Sequence, residues 1–445
     1  MKLLKSKTFY KFLIPSLIGL FLFITPVRSQ GNLTIPIAVL AGSLLELMGS
    51  RSGLILYLLI SVSAVVTVLH KLHPIPFLCR HEKLNALFGV KGVWLAIRLL
   101  GFVFVNMLFW DVGPDMILSE DTGGLVFGGL LPILVCVFLL AGLLLSLLLD
   151  FGLLDFFGAL LIKLMRPVFH LPGRSALDCI ASWLGDGSVG VLLTARQYEE
   201  GFYSKREATV IATTFSAVSI TFCLVVISEV NLEHMFIPFY LTVAVAGIVA
   251  AIVVPKLPPL SKIPDSYCVK KPYPEDIPAG STPLRYGVQL ALNKAAKAPT
   301  VGAFFKEGFT TVLEMWLGTL PVILCLGTLA LIVAEYTPIF KLLGAVFIPL
   351  YELLQIPEAA EASQTVIVGF ADMFLPSVIA SGFESDMTKF VVAATSVTQL
   401  IYMSEIGSII MGSKIPVSLG KLFLIFLERT LVTLPVIALA AHLLF

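Results

Sequence analysis

Leu131-Pro132-Ile133-Leu134-Val135-Cys136 and Leu320-Pro321-Val322-Ile323-Leu324-Cys325 are nearly one hexapeptide, each early in a long apolar run and 189 residues apart. Leu171-Pro172 answers Ile356-Pro357 at an offset of 185, and Leu184-Gly185-Asp186 answers Phe370-Ala371-Asp372 at 186. Ile211-Ala212-Thr213-Thr214 then answers Val392-Ala393-Ala394-Thr395 at 181. One such match between apolar segments is worth little; four in the same order, with offsets that differ by a few residues, read as an internal duplication.

The duplicated material is membrane material. Of 445 residues, 58% are hydrophobic and 13% charged, with a mean hydropathy of +0.97, more apolar than a soluble surface of this size tolerates. A net charge of +1 gives no global field for a nucleic-acid partner. The six cysteines are scattered, without a CxxC pair or a histidine at ligand spacing, and read as apolar fillers rather than disulfide or metal sites. No P-loop, HExxH, GxSxG or dinucleotide-type GxGxxG is present, so neither an ATP-driven pump nor an enzyme is expected, and no cofactor beyond a coupling ion.

A bilayer core needs about 20 apolar residues per helix. Full spans are expected near 12–27, 53–70, 92–110, 126–149, 207–229, 232–254, 309–334, 388–411 and 419–444. Shorter apolar pieces at 34–48, 151–169, 176–193, 339–354 and 362–379 suit half-helices and re-entrant hairpins, whose irregular backbone must face protein or a watery cavity. The lysine-rich start resembles a signal peptide, but Val27-Arg28-Ser29 matches a cleavage site poorly, and a retained first helix is expected.

The basic flank of Lys71, Arg80, Lys83 and Lys91, with the N-terminal lysines, predicts a cytoplasmic N-terminus and places the acidic loop Asp111, Asp115, Glu120 and Asp121 outside. The long polar segment after the first copy carries eight basic residues against four acidic ones and is expected in the cytoplasm. Its later part, 284–297, reads either as a helix on the membrane surface or as a solvated linker helix. The domain plan is an N-terminal transmembrane region at 1–125, a first repeat at 126–254, a linker at 255–308 and a second repeat at 309–445.

Three full spans in the first copy, an odd number, would turn the second copy upside down. Charges agree: 150–206 holds six basic residues, while 335–389 holds two beside seven acids. Opposite bias in equivalent segments is what positive-inside sorting makes of inverted copies. The expected fold is therefore an all-α integral membrane protein with two inverted-topology helical repeats and broken or re-entrant helices, preceded by N-terminal transmembrane helices.

In such folds the solute sits where helices break and free their backbone groups. The candidates here are Asp186, Gly187 and Ser188 in the first copy and Asp372 and Ser377 in the second. Asp186 reads either as a ligand for a cation, a proton or a solute hydroxyl, or as a helix cap at a wet hairpin tip. Thr213 and Ser216, echoed by Thr395, lie in hydroxyl-rich runs that bind solute or simply bond to their own backbone. Gln399 is harder to satisfy, since its amide needs several partners. Arg429, with Glu428 beside it inside the last span, is a binding residue, a structural ion pair or a snorkelling side chain.

Leu177-Asp178-Cys179-Ile180-Ala181-Ser182, then Gly187-Ser188-Val189-Gly190-Val191-Leu192-Leu193-Thr194, Tyr198-Glu199-Glu200-Gly201 and Ala212-Thr213-Thr214-Phe215-Ser216 resemble the YjiH family of membrane proteins with a nucleoside-recognition, or Gate, domain. Thr34-Ile35-Pro36-Ile37, Leu257-Pro258-Pro259-Leu260-Ser261, Arg429-Thr430 and Leu434-Pro435 agree with it. The resemblance implies a bacterial inner-membrane protein of the wider Gate group, in which concentrative nucleoside transporters, the iron permease FeoB and spore-maturation proteins also look related. It implies a permease for a small polar organic solute, nucleoside-like or amino-acid-like, coupled to sodium or protons. A non-transporting membrane scaffold or signalling partner is the alternative from another class, and a metal-ion permease a third. The expected partners are the solute, the lipid bilayer, and a second copy or another membrane protein.

Overall fold

The computed structural model describes residues 7–25, 27–29, 32–80, 82–90, 92–184, 187–216, 218–269, 277–278 and 281–445. Among these the elements are helical apart from one short antiparallel pair, Val27–Ser29 with Asn32–Thr34. Six helical runs are long and apolar enough to cross a membrane: Pro36–Leu72, Val93–Trp110, Leu125–Leu149, Glu233–Lys256, Val301–Tyr336 and Leu419–Leu444. On Ser52–Leu72 the large residues Leu58, Val62, Val65 and Leu69 face outward, while Ser63, Ala64 and Thr67 turn inward. Large apolar residues outside and small or hydroxylated ones at the helix contacts mark a helix whose outer solvent is lipid. The chain is an all-α, multi-pass membrane protein.

Both Leu-Pro signals do the same thing. A proline has no N–H and its ring crowds the preceding turn. Just ahead of Pro132 and Pro321 the helix is widened into a π turn, at Leu125–Leu130 and Met315–Thr319, before continuing as Leu131–Leu144 and Leu320–Tyr336.

Beyond these points the elements run in the same order twice. In the first half come Leu153–Phe169, a hairpin of Ser175–Leu184 packed on Gly187–Glu199, then Lys205–Val210 with the π turn Ile211–Phe215, Ile220–Glu229 and Phe236–Val253. In the second come the short helices Ile339–Gly344 and Ile348–Leu353, a hairpin of Ala359–Ala371 packed on Leu375–Ser381, then Asp386–Gln399, Ile406–Gly412 and Leu419–Leu444. Even a cap recurs: Ser204 and Ser385, 181 residues apart, each accept the backbone N–H three residues on, at 3.2 Å in both cases.

Two stretches expected to be unbroken spans are not. The helix through 207–229 stops at Phe215 and resumes at Ile220, with the Ser219 hydroxyl capping the new start. The one through 388–411 stops at Gln399, where Leu400 turns left-handed at φ +60°, and resumes at Ile406. Hydroxyls explain part of this, because Thr213, Thr214 and Thr398 all donate to carbonyls one turn back and so bend and weaken the ends they sit on. The piece at 34–48 is not a separate half-helix either. It runs as Pro36–Met48 through a tight turn at Gly49, φ +50°, into Ser52–Leu72.

The helix expected at 284–297 is present as Pro283–Ala296, capped by Thr282. It buries Tyr286, Gly287, Ala291 and Ala295 and packs along Leu153–Phe169, so it is docked on protein rather than free on a linker.

Candidate functional site

The four interrupted elements converge. The start of the first hairpin's second arm, Gly187, presses on the second half's break, where a Cβ would come within 2.9 Å of Ile406 and 3.8 Å of the Tyr402 hydroxyl. The tip of the second hairpin meets the first half's broken helix, with the Phe374 and Phe222 rings edge to face at 6.3 Å. Each hairpin is thus docked on the opposite half.

The second hairpin is also tied to its own half. Met403 and Ser404 donate their N–H groups to the Phe370 and Ala371 carbonyls at 2.8 Å each, like a short strand laid along the tip. Asp372 fastens this joint: one oxygen accepts the N–H groups of Phe374 and Leu375 at 2.7 and 3.1 Å, and the other accepts the Ser404 hydroxyl at 2.7 Å.

Where the two broken helices end, a single side chain joins them. Arg429, 1% exposed, donates Nε to the Thr398 carbonyl and Nη1 to the Thr214 carbonyl at 2.7 Å. Both carbonyls belong to the last turn before a break, where a helix carries its partial negative charge and its orphan acceptors. Gln399, at the end of the same turn, donates its amide to the Val366 carbonyl at 3.1 Å and to the Thr430 hydroxyl at 3.0 Å. Its Oε1 lies against Gly369, so Gly369→Ala forces that side chain out of place. We expect a cost of about 1–3 kcal/mol from this overpacking, read as a lowered unfolding temperature in detergent.

Between the docked tips lies a cavity of about 60 Å³, lined by Ser182 and Gly187 from the first hairpin, Ser216 and Ser219 from the first break, Met373 from the second tip, and Tyr402 and Glu405 from the second break. A larger vestibule of about 340 Å³ opens further along the same elements, lined by Arg196 and Glu199 at the far end of the first hairpin and by residues 411–414. There Lys414 bridges to Glu199 at 3.1 Å.

Of the residues singled out in the sequence, Gly187 and Ser216 line the cavity, and Gln399 and Arg429 form the layer that holds the broken helices together. Ser188, Ser377 and Thr395 are buried outside the cavity wall, the Thr213 hydroxyl is spent on the Thr209 carbonyl at 2.6 Å, and Asp372 serves as cap and clamp. Asp186 lies outside the described residues. Sequence reasoning passed over Glu405, although it is the one carboxyl between Lys389 and Lys414. An acid inside an apolar run was the signal that could have found it.

Residues 131–233 match the family model described as Gate, nucleoside recognition, a stretch that runs from the first Leu-Pro signal through the first hairpin and the first broken helix. An uncharacterised protein of Alkalihalophilus pseudofirmus is 48% identical over 437 residues, covering 98% of this chain and 94% of its own length. A solved structure of a CNTnw double variant in an outward-facing state aligns with 92% of this chain and 99% of its own at a TM-score of 0.44 and 10% identity. Fold and site together define a multi-pass membrane protein whose central segment matches the Gate model. The chain belongs to the same family as the Alkalihalophilus protein.

Proposed function

We propose that the chain is a secondary transporter of a small polar organic solute, nucleoside-like, bound where the two hairpins meet the two breaks and driven across a bacterial inner membrane by an ion gradient. The docking of each hairpin on the opposite half's break, around a cavity walled by hydroxyls, a carboxyl and apolar side chains, carries this reading. Hydroxyls and one carboxylate converge there, and the elements that cover the cavity are short hairpins rather than long packed helices. The match to a nucleoside-recognition model over the elements that build half of this cavity supports the solute class. A volume of about 60 Å³ suits a water or two. Solute therefore enters only when a hairpin shifts, as alternating access requires.

Reconstituted protein is expected to take up labelled uridine or adenosine, and a panel of nucleosides and amino acids to raise its melting temperature selectively, since a ligand that binds the folded form alone stabilises it. The smallness of the cavity favours a second reading, a membrane scaffold that transports nothing; uptake of no member of the panel would decide for it.

The repeated element order and the shared Ser caps support two copies of one unit, and the opposite charge bias supports their inversion, with a cytoplasmic N-terminus. Cysteines introduced at Lys205 and Asp386 are then expected to react with an impermeant maleimide from opposite faces of the membrane. Labelling of both from one face defeats the inversion.

A further inference from the structure

We propose that Asp178 is a proton-binding site in the first hairpin, and that its proton is the coupling ion; the coupling rests on the transport reading above, the site does not. Asp178 is fully buried on Ser175–Leu184. Its Oδ1 accepts the Gln197 amide at 2.7 Å, and its Oδ2 accepts the hydroxyls of Thr194 at 2.9 Å and Tyr203 at 3.0 Å. The Gln197 amide also donates to the Tyr203 hydroxyl at 2.8 Å, and the Thr194 hydroxyl stands 2.9 Å from a second acceptor, the Gly190 carbonyl.

Counting protons shows why this arrangement serves both states of the acid. With Asp178 ionised, Thr194 points its single hydrogen at Oδ2. With a proton on Oδ2, the acid donates to the Thr194 oxygen, and the Thr194 hydrogen turns to the Gly190 carbonyl. Gln197 and Tyr203 donate as before. Rotation of one hydroxyl keeps every donor and the carboxyl satisfied in both states, which a buried polar group requires. An alkali cation would need a shell of acceptor oxygens; here the carboxyl oxygens are already filled by N–H and O–H donors.

No cation neutralises Asp178 directly among the described residues. Arg174, at the start of its own helix, is the cation whose field reaches it, but that guanidinium bonds to Asp155 at 3.1 Å and lies 3.5 Å over the Phe202 ring. From the neighbouring helix Leu153–Phe169, Lys163 is exposed and Arg166 pairs with Glu207 at 2.8 Å, the acid that faces Tyr203. On the partner arm Arg196 pairs with Glu200 and Glu199 with Lys414. Lys7, Tyr10 and Lys11 of Lys7–Ile24 are exposed, the π turn Ile211–Phe215 carries no charge, and Cys179 is the adjoining titratable group.

A hairpin that must shift past apolar helices moves at lower cost without an unpaired carboxylate. At the 186-residue offset the second hairpin has Gln364 in place of Asp178 and Ala380 in place of Thr194. The second hairpin therefore folds without an acid at this offset.

Infrared difference spectra of the full-length purified protein between low and high pH test the site. One protonated-carboxyl C=O band is expected to be missing in Asp178→Asn. Thr194→Val, nearly isosteric, should keep the band but shift both its frequency and its pH midpoint, and Thr194→Ser should restore both. Unchanged spectra in Asp178→Asn and Thr194→Val overturn the proposal. In uridine-loaded proteoliposomes Asp178→Asn should retain exchange of labelled uridine and lose accumulation driven by a proton gradient; accumulation at the wild-type level overturns the coupling. Failure of the wild type to exchange uridine counts against the nucleoside reading alone, and the infrared result still decides the site.

Discussion

Arg429→Met is expected to remove about 2–6 kcal/mol of stability, a large share of what a folded protein has. The estimate follows from the two carbonyls its guanidinium serves, Thr398 and Thr214, each buried at the end of a broken helix and each costing about 1–3 kcal/mol when left without a donor. Met fills a similar space but donates nothing. Arg429→Lys should fall between, because a single ammonium lacks the planar fork that reaches both acceptors. No carboxylate pairs with Arg429 among the described residues, so the charge is balanced by the negative ends of two helices from two halves. Thermal unfolding of the variants in detergent checks the order. A melting temperature for Arg429→Met equal to the wild type would mean that the two breaks are joined by something else.

Much of this architecture is visible in the chain before folding. Pro132 and Pro321 impose the same local defect on the same kind of helix, and because a proline acts on its own turn, the signal survives in sequence and in structure alike. Lipid-facing length is equally local, and 126–149, 232–254 and 419–444 were expected close to where helices stand. The breaks were less legible. At 207–229 and 388–411 hydropathy stays high through the interruption, since Val218, Leu400 and Ile401 are apolar and buried although they are not helical. A hydropathy window measures the cost of leaving water, and that cost is the same for a helix and for extended chain whose backbone is satisfied by a neighbouring hairpin.

The site divides along the same line. Arg429 and Gln399 could be singled out because a long polar side chain in an apolar run must find partners, whatever the fold. Which partners it finds is a tertiary matter: the residues it joins, Thr214 and Thr398, are 215 and 31 positions away. Asp178 was invisible as a site for a related reason. Its donors Thr194, Gln197 and Tyr203 are ordinary residues until two hairpin arms fold against each other and close around it.

Glu405→Gln is expected to weaken nucleoside binding by roughly 10–150-fold, which corresponds to the 1.5–3 kcal/mol carried by hydrogen bonds to a charged acceptor. Glu405 stands at the start of Ile406–Gly412, on the wall of the cavity that Ser216 and Tyr402 also line. A ribose or base edge offers hydroxyl and N–H donors, and a carboxylate that accepts them is worth more than an amide of the same shape, which offers one accepting oxygen and two donors of its own. Gln keeps the volume and can still lie at the helix start, and thermal unfolding reads what the carboxylate contributes to the fold. Asp372, at the tip of the second hairpin, holds Phe374, Leu375 and Ser404 through both of its oxygens, so its loss would loosen the hairpin. Titration calorimetry with uridine and adenosine, alongside thermal unfolding, separates the two effects. If Glu405→Gln binds like the wild type while melting normally, the cavity between the hairpins is a joint and the solute is held elsewhere, with the vestibule at Glu199 and Lys414 the next place to look.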